Sequence, residues 1–247
     1  MDAARQIRSA VASVSLLRQA ADANAMLRQA IGEVKRLQST RFAGSYADLL
    51  GSGRHAAAAR FFLEELYSDK DYGERDAQFG RIAGAIEKFF PAQVAQTAVS
   101  LAQLHALTEQ LDHGMAQAWI APSIAALSPA GRYVAAWREV DRRADRVRQL
   151  EVVMAVGDEM VRLTRTPGLR MMLRMMRGPA SAAGLGSLQR FLETGFDTFA
   201  AMAKERGSAE AFLQTIRERE AAWIASLFDR EFVACETGLA QTLGQAR

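Results

Sequence analysis

Apolar residues recur along most of this chain at steps of three and four, the spacing of one helix face. Residues 3 to 20 carry Ile7, Val11, Val14 and Leu16 or Leu17 in that pattern. Ala25 to Arg41 carries Met26 or Leu27, Ile31, Val34 and Leu37, and Gly44 ends it. A short turn of helix at Tyr46 to Leu50 leads into the loop Gly51-Ser52-Gly53. From Arg54 to Tyr67, the residues Phe61, Phe62, Leu63, Leu66 and Tyr67 cover more than half the helix surface, which predicts packing on two sides. Glu65 falls inside that apolar arc. Ser68 to Gly73 reads as a polar turn, with Asp71 as a cap for a helix from Glu74 to Phe90. Asp69, Asp71 and Gly73 do not make a calcium loop, which needs Gly sixth and Glu twelfth where this chain has Glu74 and Gly80.

The pattern changes between Phe89 and Gly131, a stretch without Lys or Arg whose formal charges are Glu109 and Asp112. Pro91 can open a helix there and Pro122 stops it. Leu101, Leu104, Leu107, Leu111, Met115 and Trp119 fall on one arc, and Gln96, Gln103, Gln110 and Gln117 form a narrow polar strip. The remaining face mixes Ala98, Ala102, Ala106 and Ala116 with His105, Glu109, Asp112 and His113. So little charge predicts a helix buried on most of its circumference.

Beyond it, Ser128 or Ala130 starts the longest periodic segment, in which Tyr133, Trp137, Val140, Ala144, Val147, Leu150 and Met154 predict one inner face. Arg138, Glu139, Asp141, Arg142, Arg143, Asp145, Arg146 and Arg148 are placed on the opposite face, and Pro167-Gly168 ends the helix. Leu169 to Arg177 is short and rich in Met and Arg, followed by Gly178-Pro179 and a small-residue loop from Ala180 to Gly186. That region is expected to rim any pocket. Ser187 is read as the cap of a helix to about Glu205, and Ser208 with Glu210 as the opening of the last long helix. Its apolar face holds Phe212, Leu213, Ile216, Trp223, Ile224, Leu227 and Phe228, with Glu220 among them. No strand alternation, internal repeat or low-complexity run appears. The fold expected is all-α, a single-domain bundle of eight or nine helices (residues 1–247) around a buried central helix at about 92–121. A secondary boundary reading falls at 122–131.

Composition narrows the classes little. The chain has 247 residues, ordinary apolar and charged fractions, and a net charge of +3. The lone Cys235 cannot form an intramolecular disulfide, no apolar run approaches the ~20 residues of a membrane span, and Met1 to Ala12 lacks the apolar core of a signal peptide. A cytoplasmic protein is therefore expected, without a transmembrane segment. Acidic residues interrupt the basic runs and no nucleic-acid motif is present, so no nucleic-acid partner is expected.

Three stretches carry a resemblance. They are Val34-Lys35-Arg36-Leu37-Gln38 through Arg41-Phe42 to Tyr46-Ala47-Asp48-Leu49-Leu50; Phe61-Phe62-Leu63-Glu64-Glu65-Leu66-Tyr67 followed by Asp71-Tyr72 and Arg75-Asp76-Ala77-Gln78; and Leu104-His105-Ala106-Leu107 ending in Leu111-Asp112. Over roughly residues 34 to 113, with an echo near Gly195-Phe196, the chain resembles an uncharacterised bacterial all-helical family, one of the domains of unknown function. The resemblance implies a helical fold and no particular activity.

No phosphate loop, nucleophile elbow, dinucleotide fingerprint or cysteine zinc pattern is present. The residues with chemistry to offer are His105, Glu109, Asp112 and His113, within about 100° of one another on one helix. His and carboxylate groups one turn apart can share a metal ion or flank a haem. Glu65 and Glu220 are two further acids on inward faces. The Glu-x-x-His pairs of helical di-iron proteins are missing, however. The stronger reading is that Glu109 and Asp112 form ion pairs with arginines of neighbouring helices, with Arg75, Arg138 and Arg142 as partners and the stretch Arg132 to Arg148 as the favoured source. Met171, Met172, Met175 and Met176, flanked by Arg162, Arg165, Arg170, Arg174 and Arg177, read as core filler or as a basic amphipathic surface for an acidic partner or a membrane. Cys235 is expected to be a structural thiol. The function expected is that of a non-enzymatic helical protein binding a partner protein or a small apolar ligand, with no cofactor. A metal- or haem-dependent protein using His105 or His113 with Glu109 and Asp112 is the alternative.

Overall fold

The computed structural model describes residues 2–51, 53–67, 70 and 72–246. Among them the chain is all-α: thirteen α-helices, one 3-10 turn at Pro122–Ile124, and no strand. The helices are α1 (Ala3–Asp22), α2 (Ala25–Ser45), α3 (Ala47–Gly51), α4 (Ala56–Glu65), α5 (Gly73–Phe89), α6 (Ala92–Trp119), α7 (Pro129–Val140), α8 (Arg143–Thr164), α9 (Leu169–Met175), α10 (Arg177–Ala182), α11 (Gly186–Met202), α12 (Ser208–Asp229) and α13 (Phe232–Gln245).

The chain packs as two compact units. The first comprises Met1–Ser15, Lys70–Ala106 and Val152–Gln214. Its core sets Ile7 and Val14 of α1 and Ala83 and Ile86 of α5 against Ala98, Val99 and Ala102 of α6. A smaller cluster joins Leu163, Leu169 and Phe196. The second unit comprises Leu16–Asp69, Leu107–Glu151 and Thr215–Arg247, and residues 122–131 lie inside it. Its core joins Val34 and Leu37 of α2, Met115 and Trp119 of α6, Tyr133, Val134 and Trp137 of α7, Leu227 of α12, and Cys235 and Leu239 of α13.

Helix α6 carries buried residues in every turn from Ala95 to Trp119. Its exposed residues are Ala92, Gln93, Gln96, Gln103 and Gln117, so three of the four glutamines of the predicted polar strip do reach water. The extra helices arise where an end is written in a single residue. Asp141 takes a left-handed conformation (φ 45°, ψ 42°), closing α7 through its backbone N–H to the Trp137 carbonyl before α8 starts at Arg143. Short polar Asp tolerates that conformation better than most residues. The segment predicted as one helix is therefore two, and the apolar phase slips across the break. Ala144 and Val147, predicted inside, are exposed, while Arg146, predicted outside, is buried. Likewise α13 is separated from α12 by a new cap, with the Glu231 carboxylate accepting from the Val233 and Ala234 N–H groups. Those backbone donors hold its pKa below the ordinary value.

Two local expectations are corrected. Residues 180–182 are helical rather than loop, because Pro179 sits in the first turn of α10, where its missing N–H breaks no bond. Ser187 lies within the first turn of α11, and the capping position is Leu185, which makes no side-chain bond. Helix α5 begins at Gly73, and the predicted cap Asp71 lies outside the described residues. Ser128 behaves as expected, its hydroxyl accepting from the Gly131 N–H ahead of Pro129.

Candidate functional site

The four residues singled out on α6 part company by turning into different surroundings. His105 belongs to the first unit, where its Nε2 lies 2.8 Å from Oδ2 of the buried Asp76 on α5. Glu109 is in the second unit and accepts from Lys35 Nζ of α2 at 2.6 Å. Asp112, also there, accepts from Gln38 Nε2 at 2.9 Å. The His113 Nδ1 is buried without a hydrogen-bond partner in the protein. Among the described residues, no group of three or more His, Cys, Asp and Glu side chains is gathered where it could hold a metal ion.

Glu109 and Asp112 do meet cations from other helices, but the partners differ from those expected. Arg75 stacks on Tyr72 and Phe191, 3.9 Å and 4.4 Å from the ring centroids. Arg138 donates to the carbonyls of Leu227 and Arg230, and Arg142 pairs with Asp145. The direct ion pair comes from Lys35 on α2. Burial favours the neutral amine of Lys35, but the charges of Asp112 and Glu109 outweigh it and hold its pKa above the ordinary value. From the favoured stretch, Arg146 does act on Asp112 through its charge, without a hydrogen bond between them. Burial nonetheless pushes the Asp112 pKa up, helped by Glu109 and opposed by Lys35, Arg146 and Gln38.

These groups belong to a buried polar network in the second unit. Arg41 of α2 grips Glu220 of α12 with two parallel bonds, Nη1 to Oε1 at 2.8 Å and Nη2 to Oε2 at 2.9 Å. The Tyr46 hydroxyl donates to the same carboxylate at 2.9 Å. The Arg41 guanidinium also lies 5.9 Å from the ring centroids of both Tyr67 and Trp223. Burial opposes its charge, but Glu220 more than compensates, so its pKa is raised. Gln38 ties α2 to α6 through its bond to Asp112. Arg146, at the start of α8, stacks 4.1 Å from the Trp137 ring centroid and reaches Gln149 through Nη1 at 3.3 Å. Of this set the sequence pattern found the carboxylates and the stretch that supplies Arg146, though with Arg146 on the outer face, and missed Lys35, Gln38 and Arg41. A signal for these three exists: at 100° per residue Arg41 falls between Val34 and Leu37 on α2, with Gln38 and Lys35 beyond Val34.

The first unit offers two surface features. An open cleft of about 240 Å³ is lined by Gln93, Gln96, Thr97 and Ser100 of α6 and by Ala155, Val156, Glu159 and Arg162 of α8. No residue of 170–186 lines it, so the expected rim lies elsewhere. The second feature is the α9–α10 segment. Leu169 is buried against Leu163 and Phe196, while Met171, Met175 and Met176 are 66%, 73% and 39% exposed. Arg170 pairs with Asp197 and Arg177 with Glu193, which fastens the methionine-bearing stretch 170–177 to α11 at both ends. Arg174 is exposed between them and makes no ion pair among the described residues.

The model of the family DUF8198, a domain of unknown function, matches residues 17–233, and the chain belongs to that family. The match covers all three stretches on which the resemblance rests. No curated protein and no solved structure matches the chain. No helix among the described residues is long and apolar enough to cross a membrane.

Proposed function

We propose that this is a non-enzymatic cytoplasmic helical protein that binds a partner protein through the methionine–arginine face of α9 and α10. One observation carries the reading: Met171, Met175 and Met176 stand exposed on a short segment pinned at both ends by ion pairs. Methionine is flexible and polarisable and suits surfaces that mould to a partner, and clustered exposed apolar side chains mark interaction sites. With Arg174 beside Met171 and Met175, the complementary surface is an apolar protein segment bearing acidic residues. The polar groups of the second unit serve mainly as internal partners of one another, which favours a binding role over catalysis. The lone cysteine, buried and unpaired, suits a reducing compartment.

Site-specific photo-crosslinking in the source cells tests this. Probes at Met171 and Met175 should yield one discrete protein adduct, with the linked peptide carrying acidic and apolar residues, and Arg174→Glu should abolish it. A probe at exposed Ala12 should give none. Adducts of equal yield from all three positions, adducts to lipid, or an adduct of two copies of this chain would each overturn the proposal.

A further inference from the structure

Among the described residues three buried side-chain nitrogens have no hydrogen-bond partner in the protein: His113 Nδ1, Trp137 Nε1 and Arg146 Nη2. Two of them belong to one stacked pair, since the Arg146 guanidinium lies 4.1 Å from the Trp137 ring centroid. Both residues are more than nine-tenths buried. Both nitrogens are donors only: guanidinium and indole N–H groups cannot accept, and arginine does not lose its proton in proteins. A fixed positive charge and an indole are thus buried face to face, and neither Arg146 Nη2 nor Trp137 Nε1 has an acceptor in the protein. A buried donor left without an acceptor is costly, and more so when it is charged.

The surroundings supply no direct counter-ion. Arg146 Nη1 bonds a neutral amide, Gln149 Oε1, and Gln149 in turn donates to the Thr108 hydroxyl at 2.7 Å. Asp112 acts on Arg146 only through space and is already held by Gln38. Glu109 and Glu220 are each claimed by another cation, Lys35 and Arg41. The aromatic wall of Tyr133, Trp137 and Phe228, with ring centroids 5.8 Å and 5.7 Å apart in succession, contributes no anionic group.

We propose that Arg146 Nη2 and Trp137 Nε1 form an internal anion site in the second unit, which takes one oxygen of a small carboxylate or phosphate. An oxyanion accepts from a guanidinium and from an indole N–H together, and charge-assisted bonds of this kind are about twice as strong as neutral ones. This site is independent of the α9–α10 surface, so either proposal can fail alone.

The test is an NMR titration of the purified full chain with sodium acetate in one arm and inorganic phosphate in the other, at constant ionic strength. The three tryptophans give three indole N–H signals, and Trp137→Phe identifies the one at stake. That signal should move saturably with at least one of the two anions, while those of Trp119 and Trp223, already donating to Glu33 and Ser45, stay still. The arm that saturates at lower concentration names the class. The same anion should raise the thermal midpoint, and Trp137→Phe, which keeps the stacked ring and removes one donor, should need about tenfold more anion for the same rise. Arg146→Gln should abolish the response; if it does not fold, the Trp137→Phe comparison decides. No saturable movement of the Trp137 signal in either arm, as with a water bound there alone, would overturn the proposal. So would an unchanged thermal response in Trp137→Phe.

Discussion

Removing one member of the Arg41–Glu220 pair should be far more damaging than removing both. Each residue is more than nine-tenths buried, the contact is bidentate, and the Tyr46 hydroxyl makes a third bond to the carboxylate. Arg41→Met leaves the Glu220 charge with the Tyr46 hydroxyl and no cation at its oxygens. Breaking such a buried pair costs about 3–5 kcal/mol. Two charge-assisted bonds at about 1.5–3 kcal/mol each lead to the same range. Glu220→Leu strands the guanidinium and should cost as much. In Arg41→Met/Glu220→Leu both charges are gone, and the main loss is the Tyr46 bond, about 1–2 kcal/mol. The coupling between the two substitutions should therefore exceed about 2 kcal/mol. Urea unfolding followed by tryptophan fluorescence is the assay, since Trp119, Trp137 and Trp223 all lie in the second unit and report on it. Equal m-values across the four proteins keep the comparison valid. A coupling below about 0.5 kcal/mol, the range of surface pairs, would refute the argument that the network is buried and interdependent.

Other outcomes follow from single contacts. A Cβ at Gly44 would lie 1.9 Å from the Thr242 carbonyl oxygen, so Gly44→Ala must push α2 from α13 and should destabilise by about 1–3 kcal/mol. Gly32→Ala, with its nearest neighbour at 3.9 Å, should instead stabilise by about 0.5–1 kcal/mol through helix propensity, and urea midpoints give both signs. Asp112 has its pKa raised by burial, so the folded protein holds that proton after the unfolded chain has released it near pH 4. Its destabilising effect grows as pH rises through that value and is complete above the folded pKa. Asp112→Asn should accordingly gain on the wild type between pH 4 and pH 7 in thermal melts, and a constant difference across that window would contradict this. Metal analysis and an absorbance spectrum of the purified protein should show neither stoichiometric metal nor a Soret band, because His105, Glu109 and Asp112 each already have a partner.

The helices were legible because their apolar spacing is strong and α6 lacks basic residues over its whole length. That absence also announced that Glu109 and Asp112 would need cations from elsewhere. Which cations was not legible, since it depends on the rotation of α2 against α6 and on one backbone angle. The left-handed Asp141 exchanges Arg146 for Val147 on the inner face, and a phase drawn through residues 133 to 154 at 100° per residue cannot register the slip. Arg41 was hidden for a different reason. A guanidinium between Val34 and Leu37 looks like a solvated edge until Glu220, 179 residues later, is known to face it. The exposure of Met171 and Met175 was open in the sequence as well, because core filling and partner binding use the same residue type.

Methionine oxidation footprinting tests the partner-binding claim most directly, because the chain carries its own control. Met26, in the second unit, and Met171, in the first, are each 66% exposed, and Met175 is 73% exposed. In purified protein, dilute peroxide should convert all three to sulfoxides at similar rates. In membrane-free extract of the source cells, Met171 and Met175 should be protected several-fold while Met26 keeps its rate, and Arg174→Glu should remove the protection. Equal oxidation of the three residues in extract would contradict the account.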